Sequence, residues 1–279
     1  MKLGILTDST CDIPQSLVEQ HNIEVVPSIL ILDGKEYADG TGISRADFYA
    51  RLPGLNSRVS TSAPSIGEFA ARYRKLMDQN YEHILSIHAA GSLTSILSSA
   101  QQAAAEFPGR ITLVDSRSAS LGLGFQVLAA SEAADEGLEA ALAAVEATRA
   151  RLSVVAALDT LEYARRSGRL SGVITGVGNL LSVKPLIELR GGEVEILAAL
   201  RTAKQAEERM LTILKHMGKL QRLALLHTGV EPRARAFLSE LMKAFSLALP
   251  REILMVNVTT VIGVHVGPNG LGFAAVGME

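Results

Sequence analysis

Hydroxyl groups placed just before a helix start are the residues in this chain best suited to hold an anion. Thr61-Ser62-Ala63-Pro64-Ser65 is followed by Ile66-Gly67-Glu68, and Ser65 and Glu68 have the spacing of a capping box. That spacing predicts a helix from Ile66. Pro64 biases Ala63 towards an extended backbone, so Thr61 and Ser62 are expected on a short loop beside free amide donors and the positive end of the helix. Neutral donors in such a place suit a carboxylate or a phosphate. Taken alone, the stretch also reads as an ordinary capped loop.

Other stretches add candidates. Thr7-Asp8-Ser9-Thr10-Cys11-Asp12-Ile13-Pro14 follows a first strand, where ligands of open α/β sheets bind. Asp8 could serve as a general base and Cys11 as a nucleophile. No histidine is near them in sequence, and the same residue types make turns and caps, so a structural role is favoured. Val114-Asp115-Ser116 repeats the arrangement. Gly122-Leu123-Gly124 precedes a helix but lacks the third glycine and the acidic residue of a dinucleotide fingerprint. Those glycines read instead as sites of close backbone approach. His88-Ala89-Ala90-Gly91-Ser92-Leu93-Thr94-Ser95 joins a strand to a helix and offers three hydroxyls, which could equally cap that helix. Arg201-Thr202 ends a hairpin. Residues 262–270 read as a glycine-rich loop in which His265 is accessible.

To position these groups the chain must alternate strands and helices. Residues 3–6, 23–32, 83–88 and 111–114 read as strands, and 14–21, 65–79, 94–106, 121–134 and 138–151 as helices. That pattern predicts an α/β half, residues 1–150, with a mostly parallel sheet covered on both faces. After residue 151 the pattern changes. A hairpin around Gly191-Gly192, helices at 202–216 and 232–247, and strands at 153–158, 223–227, 253–258 and 271–276 predict an α+β second half, residues 151–279, with a mixed sheet.

Composition narrows the function classes. Aromatic residues make up only 4% of the 279 and tryptophan is absent, so the interior must be aliphatic and offers no stacking platform for bases. A net charge of −2 gives no electrostatic footprint for nucleic acid. Cys11 is the only cysteine, which rules out an internal disulfide or a cysteine-built zinc site and fits a reducing cytoplasm. No apolar run approaches the ~18 residues that span a bilayer, and the residues ahead of the first strand do not read as a signal-peptide apolar region with a cleavage site. A soluble cytoplasmic protein without metal or cofactor is the expectation.

In this order and at this spacing, residues 7–14, 61–65, 114–124, 163–170, 201–202 and 262–272 resemble the DegV family of bacterial fatty-acid-binding proteins. The resemblance implies two α/β domains with one long-chain fatty acid between them, its tail buried in the N-terminal domain and the second domain closing the head-group site. It implies a non-catalytic carrier that presents the carboxylate to a separate ATP-binding fatty acid kinase subunit for acyl-phosphate formation, with acyltransferase machinery downstream. By motif, Thr61, Ser62, His265 and Arg201 fall at head-group positions, Gly122 and Gly124 in the acyl-pocket neighbourhood, and Arg165, Arg166 and Arg169 on a basic helix that meets the kinase. Where many members carry a serine pair, this chain has Ala90 and Gly91. The second head-group contact must then come from Ser92, the Gly91 backbone or Thr94, or be absent. The competing reading is a small-molecule phosphotransferase or hydrolase using Asp8, Asp115 and His265 on an anionic substrate.

Overall fold

The computed structural model describes residues 2–55, 59–169, 183–245 and 249–278. In chain order the first half runs β1 (Leu3–Asp8), α1 (Gln15–Gln20), β2 (Glu24–Val26), β3 (Ile29–Leu32), β4 (Lys35–Ala38), α2 (Arg45–Arg51), β5 (Val59–Ser62), α3 (Ile66–Asp78), β6 (His83–His88), α4 (Ile96–Ala104), β7 (Ile111–Asp115), α5 (Leu121–Glu132) and α6 (Leu138–Ala150). The second half runs β8 (Leu152–Ala157), α7 (Glu162–Ser167), β9 (Lys184–Arg190), β10 (Glu193–Leu200), α8 (Ala203–His216), β11 (Leu220–His227), α9 (Glu231–Ala244), β12 (Ile253–Asn257), α10 (Thr260–Val266) and β13 (Leu271–Gly277).

The result is a mixed α/β fold. Strands β2-β1-β6-β7 form a wholly parallel sheet. Side chains alternate across it. Leu6 and Ile84 pack on one face with Phe69 and Tyr73 of α3 and Ala100 of α4, while Ile5, Leu85 and Ile87 pack on the other with α1, α5 and α6. Strands β10-β9-β8-β13-β11-β12 form a mixed sheet in which only β11 and β12 are parallel. Its Val155, Leu223, Leu225 and Phe273 meet α8 and α9. Val154, Ala224, Leu226 and Ala274, on the opposite face, meet α5.

Helix α5 therefore lies between the two sheets, and every residue from Leu121 to Ala130 is buried. A helix buried on every side fits no surface site, and the one polar side chain of this run, Gln126, donates to the Ser116 and Gly122 carbonyls at 3.0 and 2.9 Å. Two glycines let it approach its neighbours. A Cβ on Gly122 would stand 2.1 Å from Ser118 Oγ and 2.5 Å from Val154 Cγ2, and one on Gly124 would stand 2.5 Å from the Cys11 carbonyl oxygen. The two halves of the chain thus share their largest apolar cluster.

The structure departs from the sequence expectation in three places that bear on the site. The run 23–32 is two strands, because Pro27 cannot donate to a ladder and breaks it. After the break, β3 joins a separate antiparallel sheet, β4-β3-β5, that the apolar pattern did not reveal. Thr61 and Ser62 are not on a loop but end β5, opposite Leu30 and Ile29. Residues 260–266 are not loop but helix α10, whose glycine and β-branched residues have low helix propensity and which packing against α2 holds in place. The start of α3 is as expected: Ser65 Oγ accepts the Glu68 N–H at 3.1 Å.

Gly124→Ala tests the close approach of α5. Alanine favours a helix over glycine by about 1 kcal/mol, yet the Cys11 carbonyl is backbone and cannot rotate away. We expect a net loss of roughly 1–3 kcal/mol from overpacking, read as a lower urea midpoint. An unchanged or higher midpoint would show that the helix has room there.

Candidate functional site

A cavity of about 350 Å³ lies between the halves, at the lower end of the size range of small-molecule sites. The mixed sheet supplies most of its apolar wall through Val154, Ala156, Ile187, Leu189, Leu226 and Leu271, and α10 adds Val261 and Ile262. The first half supplies hydroxyls: Thr10, Ser28, Thr61, Ser62, Thr94, Ser95 and Ser120. Among the described lining residues only Ser62, Ser95 and Arg169 are exposed, so solvent reaches the cavity at this polar side.

Thr61 and His265 meet across this space, with Thr61 Oγ1 3.2 Å from His265 Nε2. The register explains the meeting. Thr61 pairs with Leu30, whose buried side chain faces the cluster of Phe48, Tyr49 and Val264, so Thr61 faces α10. Burial, and then the nearby Arg169 charge, hold the His265 imidazole down to about 4, so it is neutral at pH 7. Its Nδ1 has no hydrogen-bond partner, and neither has Ser28 Oγ, on a fully buried residue of the same cavity. Native structures seldom leave buried polar atoms unpaired. An apolar cavity with unpaired polar atoms in its wall is a site built to receive a ligand that has both an apolar body and a polar head.

A family model described as an uncharacterised protein of the DegV family matches residues 2–277. The chain belongs to the DegV family. A DegV domain-containing protein of Streptomyces coelicolor is 34% identical over 275 residues, covering 97% of this chain and 96% of that one. A Thermus thermophilus DegV protein described as fatty-acid-binding superposes with a TM-score of 0.92 at 35% identity, covering 100% of both chains. Bacillus subtilis DegV, described as a fatty acid binding protein, gives 0.88 at 27% identity, again over 100% of both chains.

Within this DegV fold the residues singled out in sequence scatter. Thr61, Ser62, Thr94, His265 and Arg169 line the cavity. Ser62 donates to the Ala63 carbonyl at 3.2 Å, and Thr94 Oγ1 accepts the Ile96 N–H at 3.3 Å. Ser92 is not in the wall; its hydroxyl donates to the Gly192 carbonyl at the hairpin tip between β9 and β10. Arg201 is exposed and precedes the Thr202 cap of α8, where its N–H donates to Gln205 at 3.0 Å. Gly122 and Gly124 lie behind Ser120 rather than in the wall. Arg165 and Arg166 are exposed on α7 and paired with Glu162 at 3.2 and 2.7 Å, whereas Arg169 leaves that face for the cavity. Residue 170, the end of one motif, lies outside the described residues.

The other titratable candidates serve structure. Asp8 is fully buried and accepts from His88 Nδ1 at 3.0 Å and from the Ala89 N–H at 3.2 Å. Burial pushes its pKa up, but the His88 hydrogen bond and charge, with Thr10 and Ala89, outweigh burial and hold it below the usual value. Burial pushes the Cys11 thiol far up, so it is no nucleophile. Asp115 accepts the Gly91 and Arg117 N–H groups and shapes their loop. No group of three or more His, Cys, Asp or Glu among the described residues could hold a metal ion. Sequence reasoning missed Ser28 altogether. Its one signal is Pro27, which breaks the apolar run just before it.

Two linked predictions follow the electrostatics. The unfolded chain protonates His265 near pH 6.5, whereas the folded chain waits until about pH 4. Stability from keeping this group neutral is present above about pH 6.5 and is lost as pH falls towards 4. Asp12 works in the opposite sense: burial, opposed by Arg45, raises it from 3.8 to about 6, so its share of stability falls as pH rises through that range. Comparing wild type with His265→Gln cancels Asp12. The melting temperature of wild type should drop relative to the variant between pH 7.5 and 5; parallel curves would refute the assignment. Arg169→Ala should raise the His265 pKa, followed by its imidazole NMR titration, and an unmoved titration would remove Arg169 from the site.

Proposed function

We propose that the cavity binds one long-chain fatty acid and presents its carboxylate, in the cytoplasm, to a separate ATP-binding kinase subunit for acyl-phosphate formation. The observation that carries this reading is the pairing of an aliphatic cavity with unpaired or exposed polar groups at one side. Fatty-acid binding by the Thermus and Bacillus neighbours supports it.

The tail is assigned to the space between the halves, against Val154, Ile187, Leu226 and Leu271. Each methylene removed from water there contributes about 0.8 kcal/mol, so the tail supplies most of the affinity. The carboxylate opposes it, since desolvating a charge is costly unless hydrogen bonds replace water. Thr61, Ser28 and Ser62 are the donors in reach of the opening, with His265 behind Thr61 and Arg169 at the rim. Hydroxyl donors stabilise the anion without locking both oxygens in a bidentate ion pair. One oxygen remains for attack on a phosphoryl group, and the carrier itself performs no transfer. Arg165 and Arg166 on exposed α7, beside the Arg169 rim, form the surface assigned to the kinase.

Extraction and mass spectrometry of the purified protein should yield about one long-chain fatty acid per chain. Thr61→Val should still fold and fill with palmitate, but bind it roughly ten- to hundred-fold more weakly, the worth of one hydrogen bond to a charged group. With a kinase subunit and ATP, the Thr61→Val/Ser62→Ala double variant should form acyl-phosphate far more slowly even when saturated, because positioning has been lost. A protein that neither carries nor takes up palmitate would sink the binding reading. Full coupled activity in the double variant would sink the head-group assignment.

A further inference from the structure

The cavity explains His265 and Thr61 but not the set of buried polar side chains on the far side of α10. Residues 257–260, which lead from β12 into that helix, are gripped by side chains of the first half. Arg45 Nη1 donates to the Asn257 carbonyl at 2.5 Å and to Asp12 at 3.0 Å. Tyr49 Oη donates to the Val258 carbonyl at 2.9 Å, with the Thr259 carbonyl at 3.3 Å. The Asp12 carboxylate accepts the Thr259 N–H at 2.8 Å, and its other oxygen accepts the Ser120 hydroxyl at 2.6 Å. Asp39 accepts both the Thr259 and the Thr260 hydroxyls. Asp12, Asp39, Tyr49, Thr259 and Thr260 are all buried, at 7% exposure or less.

Glycines seat this grip. The Tyr49 ring sits where a Cβ on Gly229 would come within 2.8 Å of Tyr49 Cβ, and one on Gly263 within 2.5 Å of Tyr49 Oη. Helix α10 has seven residues and no side-chain cap from Thr259. A helix that short has no stability of its own in water. Its direction is therefore set by what holds its first turn and by the Gly263 face pressed on α2. His265 lies five residues beyond Thr260 on the same helix, so a tilt at the start moves the imidazole away from Thr61.

Resting on the fatty-acid reading of the cavity, we propose that Asp12, Asp39, Arg45 and Tyr49 are positioning residues: their hold on residues 257–260 fixes His265 against Thr61 and so sets how long a bound carboxylate stays. None of the four lines the cavity. Asp39, Arg45 and Tyr49 act through residues 257–260, while Asp12 also holds the hydroxyl of Ser120 in the cavity wall. The tail, which is held by the sheet wall, keeps the ligand in the protein when the grip weakens, while the head group loses its register and exchange speeds up.

The test uses Tyr49→Phe, which removes one hydroxyl and keeps the ring in its slot, and Asp39→Asn, which keeps size. Phe237→Leu, in the cluster of β11 and β13 with α8 and α9, lowers stability far from the grip. Each protein is filled with [1-13C]palmitate and transfer to phosphatidylcholine vesicles is followed. Both grip variants should bind one palmitate per chain, release it roughly ten-fold faster and shift the bound carboxyl resonance. In ligand-free protein the 15N signals of His265 should shift as well. Phe237→Leu should lower the melting temperature and leave resonance, release and His265 signals in place. His265 signals that match wild type in both grip variants, or that move as far in Phe237→Leu, overturn the proposal. Wild type that takes up no palmitate ends the fatty-acid reading instead, and the ligand-free His265 signals then decide on the grip. Should Asp39→Asn fail to fold, the milder Tyr49→Phe carries the comparison.

Discussion

Burial of α5 on every side is the constraint on which the rest depends. A helix between two sheets must be largely apolar and must come close to both, and Gly122 and Gly124 allow the approach. Its burial joins what would otherwise be two separate cores. Just ahead of its first residue, Ala119 and Ser120 line the cavity. Ser120 shows the tension at that point. It heads the helix with φ 51° and ψ −146°, outside the regions that L-residues favour, and its hydroxyl is fixed by buried Asp12. The surrounding packing holds that backbone in place.

A cavity between two sheets would be ordinary void if apolar atoms alone lined it. Here the first half brings most of the hydroxyls and the second half most of the aliphatic wall, with Thr228, His265 and Arg169 as the second half's polar contribution. Buried ionisable groups stay close to the boundary between the halves. Asp8 with His88 organises the Thr10 and Ala89 side of the wall, and Asp12 with Arg45 organises the α10 side. Buried ion pairs are poor sources of net stability, since desolvation offsets their attraction. Placed here, they fix the directions of backbone groups that apolar packing would leave free to slide.

How much of this was legible in the sequence depended on distance along the chain. Ser65 with Glu68 announced a helix start because the capping partners are three residues apart. The alternation of strands and helices gave the parallel sheet and the mixed sheet for the same local reason. Strand β5 was hidden because it is short and half-exposed and its register is set across the sheet by β3. Helix α10 was hidden because Gly263 is there for contact with Tyr49 and not for helix formation. His265 and Thr61 stood out by residue type, but no local signal pairs residues 204 apart. Asp12 with Thr259, 247 apart, is a still longer reach. Arg169 read as surface charge because Arg165 and Arg166 precede it, and only the fold turns it to the cavity.

The hydrogen-bond inventory of His265 bears on how the site treats an anion. The imidazole is neutral at pH 7, so it carries one N–H. Placing that proton on Nδ1 would bury a donor with no partner, whereas placing it on Nε2 leaves only an unpaired acceptor there. Orphaned N–H groups are the rarer defect, so the arrangement favours the Nε2 proton, donated to Thr61 Oγ1 at 3.2 Å. With its oxygen already accepting from the ring, Thr61 turns its own proton towards the cavity. A neutral histidine thereby strengthens a hydroxyl donor without adding charge. On the proposed reading, the hydrogen bonds to an anion would be polarised by the ring, and Arg169 at the exposed rim would add attraction from a place where water still screens it. A carboxylate bound as proposed would be selected by geometry more than by charge, and would stay chemically available on its outward side.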